Sequence, residues 1–387
     1  MEPEIQPLPP EVQVGETAAI APTPEPNPIS PDPWETRAMR WVFLGSEGLR
    51  CGWSAVGFFV LFLVLVGFFG AVFFKLHLIG LKTDFNVFTA LFGELISFLA
   101  LVGAASVAAL VERRGSLLAF NLRGPRGISH FLSGAVAGFA ALSALVGTMA
   151  WGGWLKFGPT SLSSAEILKF AALWGAAFLL VGCVEEGQFR CYLLFTLTRG
   201  INFWWALGTV SVVTALVLAI PRGNGVAGVC AMALLGLGPC LLLHMRKAES
   251  ARFWQAAWVT STLFGAIHTS NKGEGWIGIF AAAAVGFVFC VSIRVTGSAW
   301  WAIGCHASWD WAQTFFYGTA DSGLQPKGHY LTSTPAGNAL WSGGASGPEG
   351  SLLVLGAILL LLLVLLVIYG RKKAAALPAP VAEQAAG

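Results

Sequence analysis

Two stretches of this sequence, FFVLFLVLVGFFGAVFF at 58–74 and LLVLGAILLLLLVLLVIYG at 352–370, run without a charged side chain. An α-helix rises about 1.5 Å per residue, so roughly 20 such residues cross the ~30 Å hydrocarbon layer of a bilayer. In that layer every backbone N–H and C=O must be satisfied within the protein, which leaves helices and closed barrels as spanning structures. A barrel would read as short segments of alternating polarity, and continuous apolar runs argue against it. The 387-residue chain is 56% apolar and only 11% charged. The expected fold is therefore all-α, a polytopic transmembrane helix bundle. About ten spans are expected, near 55–74, 87–111, 131–151, 167–198, 203–220, 226–244, 253–270, 276–293, 298–316 and 351–369.

Short loops rich in Lys and Arg stay on the cytoplasmic side. With both termini inside, the inner segments collect Arg37, Arg40, Arg50, Arg113, Arg114, Arg123, Arg126, Arg199, Arg246, Lys247, Arg252, Arg294, Arg371, Lys372 and Lys373. The outer loops hold Lys75, Lys82, Lys156, Arg222, Lys272 and Lys327. The topology expected is N-in and C-in. Residues 1–50 read as a disordered, acidic tail with a pre-membrane segment, because 1–36 hold ten of the 19 prolines and no Lys or Arg, too polar a composition to order itself. Scaffold helices are expected at 51–160, a core at 161–316, an extracytoplasmic Gly/Ser/Pro-rich loop at 317–350, the last span at 351–373 and a second disordered tail at 374–387. No basic start followed by an apolar stretch opens the chain, so a cleavable signal peptide is not expected. The seven cysteines show no C-x-x-C pair and read as small packing residues. The 16 tryptophans gather near span ends, as in an aromatic belt. A net charge of +3 gives no sign of a nucleic-acid partner.

Charged side chains at bilayer depth are costly and mark function more often than elsewhere. Three patterns place a pair at helical i, i+4 spacing, on one face: Glu186 with Arg190 in EEGQFR, Phe264 with His268 in FGAIH, and His306 with Asp310 in HASWD. Glu185 points about 100° away from the Glu186–Arg190 line, so one glutamate is neutralised locally and the other is left available. Counted from the basic end of each helix at ~1.5 Å per residue, Glu185 lies roughly 21 Å from Arg199, His268 roughly 24 Å from Arg252 and His306 roughly 18 Å from Arg294. Three helices thus bring polar groups to similar depth. A desolvated carboxylate can act as general base, one imidazole can relay the proton and a second can stabilise an oxyanion. The same Glu185, His268 and His306 offer a two-His, one-Glu set that could bind Zn²⁺, though no H-E-x-x-H is present, so a cofactor-free site and a zinc site both stay open. A lone buried histidine, or a Glu–Arg pair, is more often structural, and it is the shared depth that raises the functional reading. Glu94 in LFGELISFLA reads as a packing or helix-bridging residue. The pair of runs at 203–247 carries no carboxylate and reads as structural.

These motifs resemble those of the CPBP (CAAX protease and bacteriocin-processing, or Abi) family of intramembrane proteases, which share E-E-x-x-x-R, F-x-x-x-H and H-x-x-x-N/D on separate transmembrane helices. The lead-in RVTGSAWWAIG is similar as well. The resemblance implies that Glu185 and His268 activate a water, that His306 and Asp310 bind the oxyanion, and that Glu186, Arg190 and Phe264 support the site. It implies an endopeptidase acting on a hydrophobic or membrane-anchored peptide substrate in the bilayer, in a bacterial cytoplasmic membrane. A non-catalytic membrane scaffold or immunity-type binding protein of the same fold is the alternative. Cys191 departs from the glycine that commonly follows the arginine, Asp310 from the commoner asparagine, and 203–247 inserts two spans between helices that ordinarily follow each other.

Overall fold

The computed structural model describes residues 34–45, 48–80, 86–160, 162–220, 237–248, 250–271, 273–324 and 327–370. Two compact units divide the chain, Met1–Val42 and Phe43–Gly387. Of the first, the described part belongs to a helix, Trp34–Phe43, carrying Arg37 and Arg40. The proline-rich tail, the C-terminal tail and much of the expected span at 226–244 lie outside the described residues.

The second unit is mostly helical. Among the described residues five helices are long and apolar enough to cross a membrane: Cys51–Lys75, Val87–Val111, Gly127–Trp151, Ser164–Gly200 and Trp276–Thr296. Two shorter apolar helices, Phe203–Ala219 and Val354–Gly370, accompany them, together with Ala251–Ile267 and Trp300–Trp311. Their starts follow local rules. Asn86 and Ser163 each close a capping box with the residue three further on, Thr89 and Glu166, satisfying backbone N–H groups that a helix start leaves open. Gly297, at φ 85°, ends the Trp276–Thr296 helix in the left-handed conformation that favours glycine.

Burial grades the helices from rim to centre. The apolar window of Cys51–Lys75 is 11% buried within the protein and that of Trp276–Thr296 is 67% buried, so the first presents side chains such as Leu63, Val64 and Phe68 outward while the second lies inside. Trp300–Trp311 is sandwiched between Gly127–Trp151 and Ser164–Glu186. Close approach there depends on glycine. An added methyl group at Gly134 would collide with the carbonyl of Trp301, at Gly138 with that of Cys305, and at Gly304 with that of Phe131. Gly134 and Gly138 form a G-x-x-x-G, the small-residue spacing that lets helix backbones pack closely in lipid. On the opposite side Gly182 meets the carbonyl of Ile303.

The tryptophans divide. Trp151, Trp204 and Trp205 are exposed near helix ends, whereas Trp174, Trp276 and Trp301 are fully buried; the belt reading fails for these three because the bundle centre needs large side chains. Within the inserted segment, Phe203–Ala219 buries Phe203, Ala206, Val210, Thr214 and Val217, a single helical stripe, against Ala251–Ile267. Among the described residues of 317–350 the chain forms regular contacts. Thr332–Pro335 pairs antiparallel with Leu155–Gly158, with Leu155 opposite Pro335 and Gly158 opposite Thr332, and Gly347, at φ 87°, brings its backbone onto the carbonyl of Ala320.

Candidate active site

The first motif lies where the helix changes its winding. After Glu186 the chain continues as a π-helix, Gly187–Leu193, and then returns to α-geometry at Leu194–Gly200. A π-turn frees carbonyls from the usual ladder, and the Arg190 carbonyl accepts a hydrogen bond from Asn121 Nδ2 at 2.8 Å. The Glu186 and Arg190 side chains are both 0% exposed, with Nε and Oε2 3.3 Å apart. The guanidinium carbon stands 4.1 Å from the Phe264 ring centroid, with Phe289 and Phe189 at 5.6 and 5.8 Å. Cation–π attraction is strongest where water is excluded, so these rings and Glu186 together hold the buried cation. Gly286 leaves the space for it, since a methyl group there would strike Nη2.

The other Glu186 oxygen, Oε1, lies 2.8 Å from His306 Nδ1. An ionised carboxylate only accepts, so Nδ1 carries the proton and donates. His306 Nε2 then faces the two remaining acids, 3.4 Å from Asp310 Oδ2 and 3.8 Å from Glu185 Oε2. The Glu185 side chain is 31% exposed against 12% for His306 and none for Glu186. Glu186 is thus paired with Arg190, and Glu185 makes the longer contact to His306.

His268 is held independently. It begins the 3₁₀ turn His268–Ser270 at the end of Ala251–Ile267, and its Nδ1 donates to the Phe264 carbonyl at 2.7 Å. In the neutral imidazole this leaves Nε2 as an acceptor. The Phe264 ring lies between the two histidines, 4.9 Å from the His268 ring and 6.2 Å from the His306 ring, centroid to centroid. His268, His306 and Asp310 line one cavity. Glu185 is not among its lining residues and reaches the group through His306. Among the described residues no three His, Cys, Asp or Glu side chains are grouped to hold a metal ion. Glu185, His268 and His306 as placed therefore do not fit a zinc ion.

Two acids, Glu274 and Glu349, escaped the sequence reading, and a third, Glu94, reads there as a packing or helix-bridging residue. Glu274 and Glu349 line the cavity, and Glu94 stands within electrostatic reach of Glu185 and His306. Glu349 Oε1 accepts from Trp309 Nε1 at 3.2 Å and its Oε2 from Ser322 Oγ at 3.2 Å. Next to it Asp321 accepts from Thr314 Oγ1 at 2.8 Å. Burial, and then the neighbouring Glu349 carboxylate, push the Asp321 carboxyl up to about 7. Glu274 and Glu349 sit in NKGEGW and GPEGS, polar turn sequences with no periodicity to betray a cavity. Glu94 was a visible signal, a charge in an apolar helix, read as packing.

A helical membrane protein whose polar centre joins a buried Glu–Arg pair to a histidine is the class that this fold and site define. Residues 240–312 match the family model of the type II CAAX prenyl endopeptidase Rce1-like proteins, which bears out the resemblance to the CPBP and CAAX protease family. The match contains F-x-x-x-H and H-x-x-x-D and leaves E-E-x-x-x-R outside it. No curated protein and no solved structure matches the chain.

Proposed function

We propose that this protein is an intramembrane endopeptidase that hydrolyses a peptide bond of a membrane-associated or hydrophobic substrate. The observation that carries the reading is His306, with Nδ1 fixed by buried Glu186 and Nε2 facing Glu185 and Asp310. Fixing one ring nitrogen orients the other for proton transfer. In this reading Glu185 is the general base that takes a proton from the attacking water, assisted by the acceptor Nε2 of His268. His306, as imidazolium, donates from Nε2 to the oxyanion of the tetrahedral intermediate. Asp310, when ionised, accepts and does not donate; at 3.4 Å from Nε2 it orients and balances His306. Glu186 and Arg190 hold the imidazole in place, and Phe264 packs between the histidines.

The architecture proposed with it has ten spans with both termini inside, in a bacterial cytoplasmic membrane. Residues 161–316 form the proteolytic core, with 203–247 inserted. Support comes from the seven apolar helices and from the distribution of Lys and Arg.

The test is cleavage of a hydrophobic peptide library by detergent-purified protein, wild type against Glu185→Gln, with and without a chelator. Loss of a general base slows a reaction by roughly 10²- to 10⁴-fold, and a loss of that order is expected, with the chelator without effect. A Glu185→Gln enzyme as fast as wild type overturns the reading.

A further inference from the structure

One connection grips both helices that meet at His306. Residues 116–126 lead from Val87–Val111 into Gly127–Trp151. Phe120 of this loop is 2% exposed, and its ring meets those of Tyr192 and Phe195 edge-on, with centroids 5.1 and 5.4 Å away. On the other side Trp300 Nε1 donates to the Leu122 carbonyl at 3.0 Å, and Gly127 has no side chain where the Trp300 ring rests. The loop thus holds the π-helical end of the first motif's helix and the start of Trp300–Trp311 together.

Asn121 is where the two grips join. Its Nδ2 donates to the Arg190 carbonyl at 2.8 Å, and its own carbonyl accepts from the Ala299 N–H, also at 2.8 Å. That N–H belongs to the open start of the helix that carries His306. Arg190 follows Glu186 by four residues and Ala299 precedes His306 by seven, about one and two helical turns. A single residue therefore ties the two backbones from which Glu186 and His306 project. Asn121 stands at φ 55°, in the left-handed region where asparagine is one of the few side chains at home. Glycine takes that φ equally well but has no amide to reach Arg190.

Resting on the endopeptidase reading, we infer that Asn121 is a positioning residue for that reaction. By joining the Arg190 carbonyl to the Ala299 N–H it sets the spacing of the two helices, and so holds His306 Nδ1 at 2.8 Å from Glu186 Oε1. Asn121 touches no reacting atom. Its effect passes through the bearing of His306 Nε2 toward Glu185 and Asp310, and a misplacement of about 1 Å in such a group can cost about 10²-fold in rate.

The experiment compares full-length Asn121→Gly with wild type in detergent. Glycine keeps the left-handed backbone and the carbonyl that serves Ala299, and removes the amide alone. The first readout is the proton NMR signal of His306 Nδ1–H, moved downfield by its carboxylate partner and identified by its loss in His306→Gln. Asn121→Gly is expected to lose or shift this signal and to lower kcat at least about tenfold at unchanged KM on a hydrophobic peptide. Asn121→Asp has the same size and suits the same φ, but its ionised carboxylate cannot donate; it is expected to behave alike, which keeps the proposal testable should the glycine variant not fold. Ser116→Ala removes the hydroxyl that accepts from the Leu118 N–H at 3.2 Å. It loosens the same loop and should leave signal and kcat as in wild type. A signal retained in Asn121→Gly, a kcat retained where wild type cleaves, or a loss reproduced by Ser116→Ala overturns the proposal. The signal needs no catalysis, so a wild type that shows it, loses it in Asn121→Gly and yet cleaves nothing sinks the endopeptidase reading alone.

Discussion

Glu185 and Glu186 are neighbours in sequence, yet they belong to opposite sides of the polar centre. On the Glu186 side everything is closed: both members of the ion pair are fully buried, aromatic rings cover the guanidinium and one short hydrogen bond fixes His306. The Glu185 side is looser, with a carboxylate about a third exposed and its nearest histidine nitrogen at 3.8 Å. The difference teaches how one dipeptide supplies both a buried support and a carboxylate that stays partly open. Burial makes the first rigid, and partial access leaves the second able to meet water.

The comparison breaks most easily at Arg190. Removing one partner of a buried ion pair leaves an uncompensated charge and costs about 3–5 kcal/mol. Arg190→Ala is therefore expected to lower the thermal unfolding midpoint in detergent more than any other change considered, while Glu185→Gln costs about 1 kcal/mol or less. Equal losses would dissolve the distinction between the two sides. A smaller effect, about 1–3 kcal/mol by overpacking, is expected for Gly304→Val, which pushes Trp300–Trp311 off the Phe131 carbonyl. Its activity should fall as well, because His306 travels with that helix.

The segment around Asp321 provides a third test. Asp321 holds its proton up to about 7 because it is buried beside Glu349, with His306 and Glu185 also in electrostatic reach. Unfolded, the same carboxyl ionises near the ordinary aspartate value, so between about 4 and 7 the folded state binds more protons and docking of the segment weakens as pH rises. Hydrogen exchange in residues 317–324 should therefore increase between pH 5 and 8, after correction for intrinsic rates, and Asp321→Asn should flatten the profile. The smallest effect is reserved for Gly147→Ala. That position has open space around it, and the change is expected to stay within about 0.5 kcal/mol by differential scanning fluorimetry.

How much of this was legible depends on the kind of signal. Helices announced themselves through apolar length, and Val87–Val111 has the bounds expected from the sequence. The Glu186–Arg190 and His306–Asp310 pairs followed from i, i+4 geometry, which a sequence carries directly. The contact between Glu186 and His306 joins residues 120 positions apart, and only similar depth hinted at it. Glu274 and Glu349 were invisible because turn-rich polar sequence says nothing about what it folds against. The burial of Trp174, Trp276 and Trp301 was missed for a related reason: an indole suits a membrane interface and a bundle centre equally well.

The π-helical stretch Gly187–Leu193 has a consequence for how this chain tolerates change. In a helix, one residue corresponds to about 100° of rotation, and a π-turn accommodates an extra residue locally without passing that rotation along. The segment therefore works as a phase adjuster. Upstream, Glu185 and Glu186 keep their bearing toward His306; downstream, Arg199 keeps its own bearing toward Glu112, 2.8 Å away. Deleting a single residue within the stretch would rewind it to ordinary α-geometry and leave the two ends in step, because the wide turn had absorbed that residue's quarter turn of rotation.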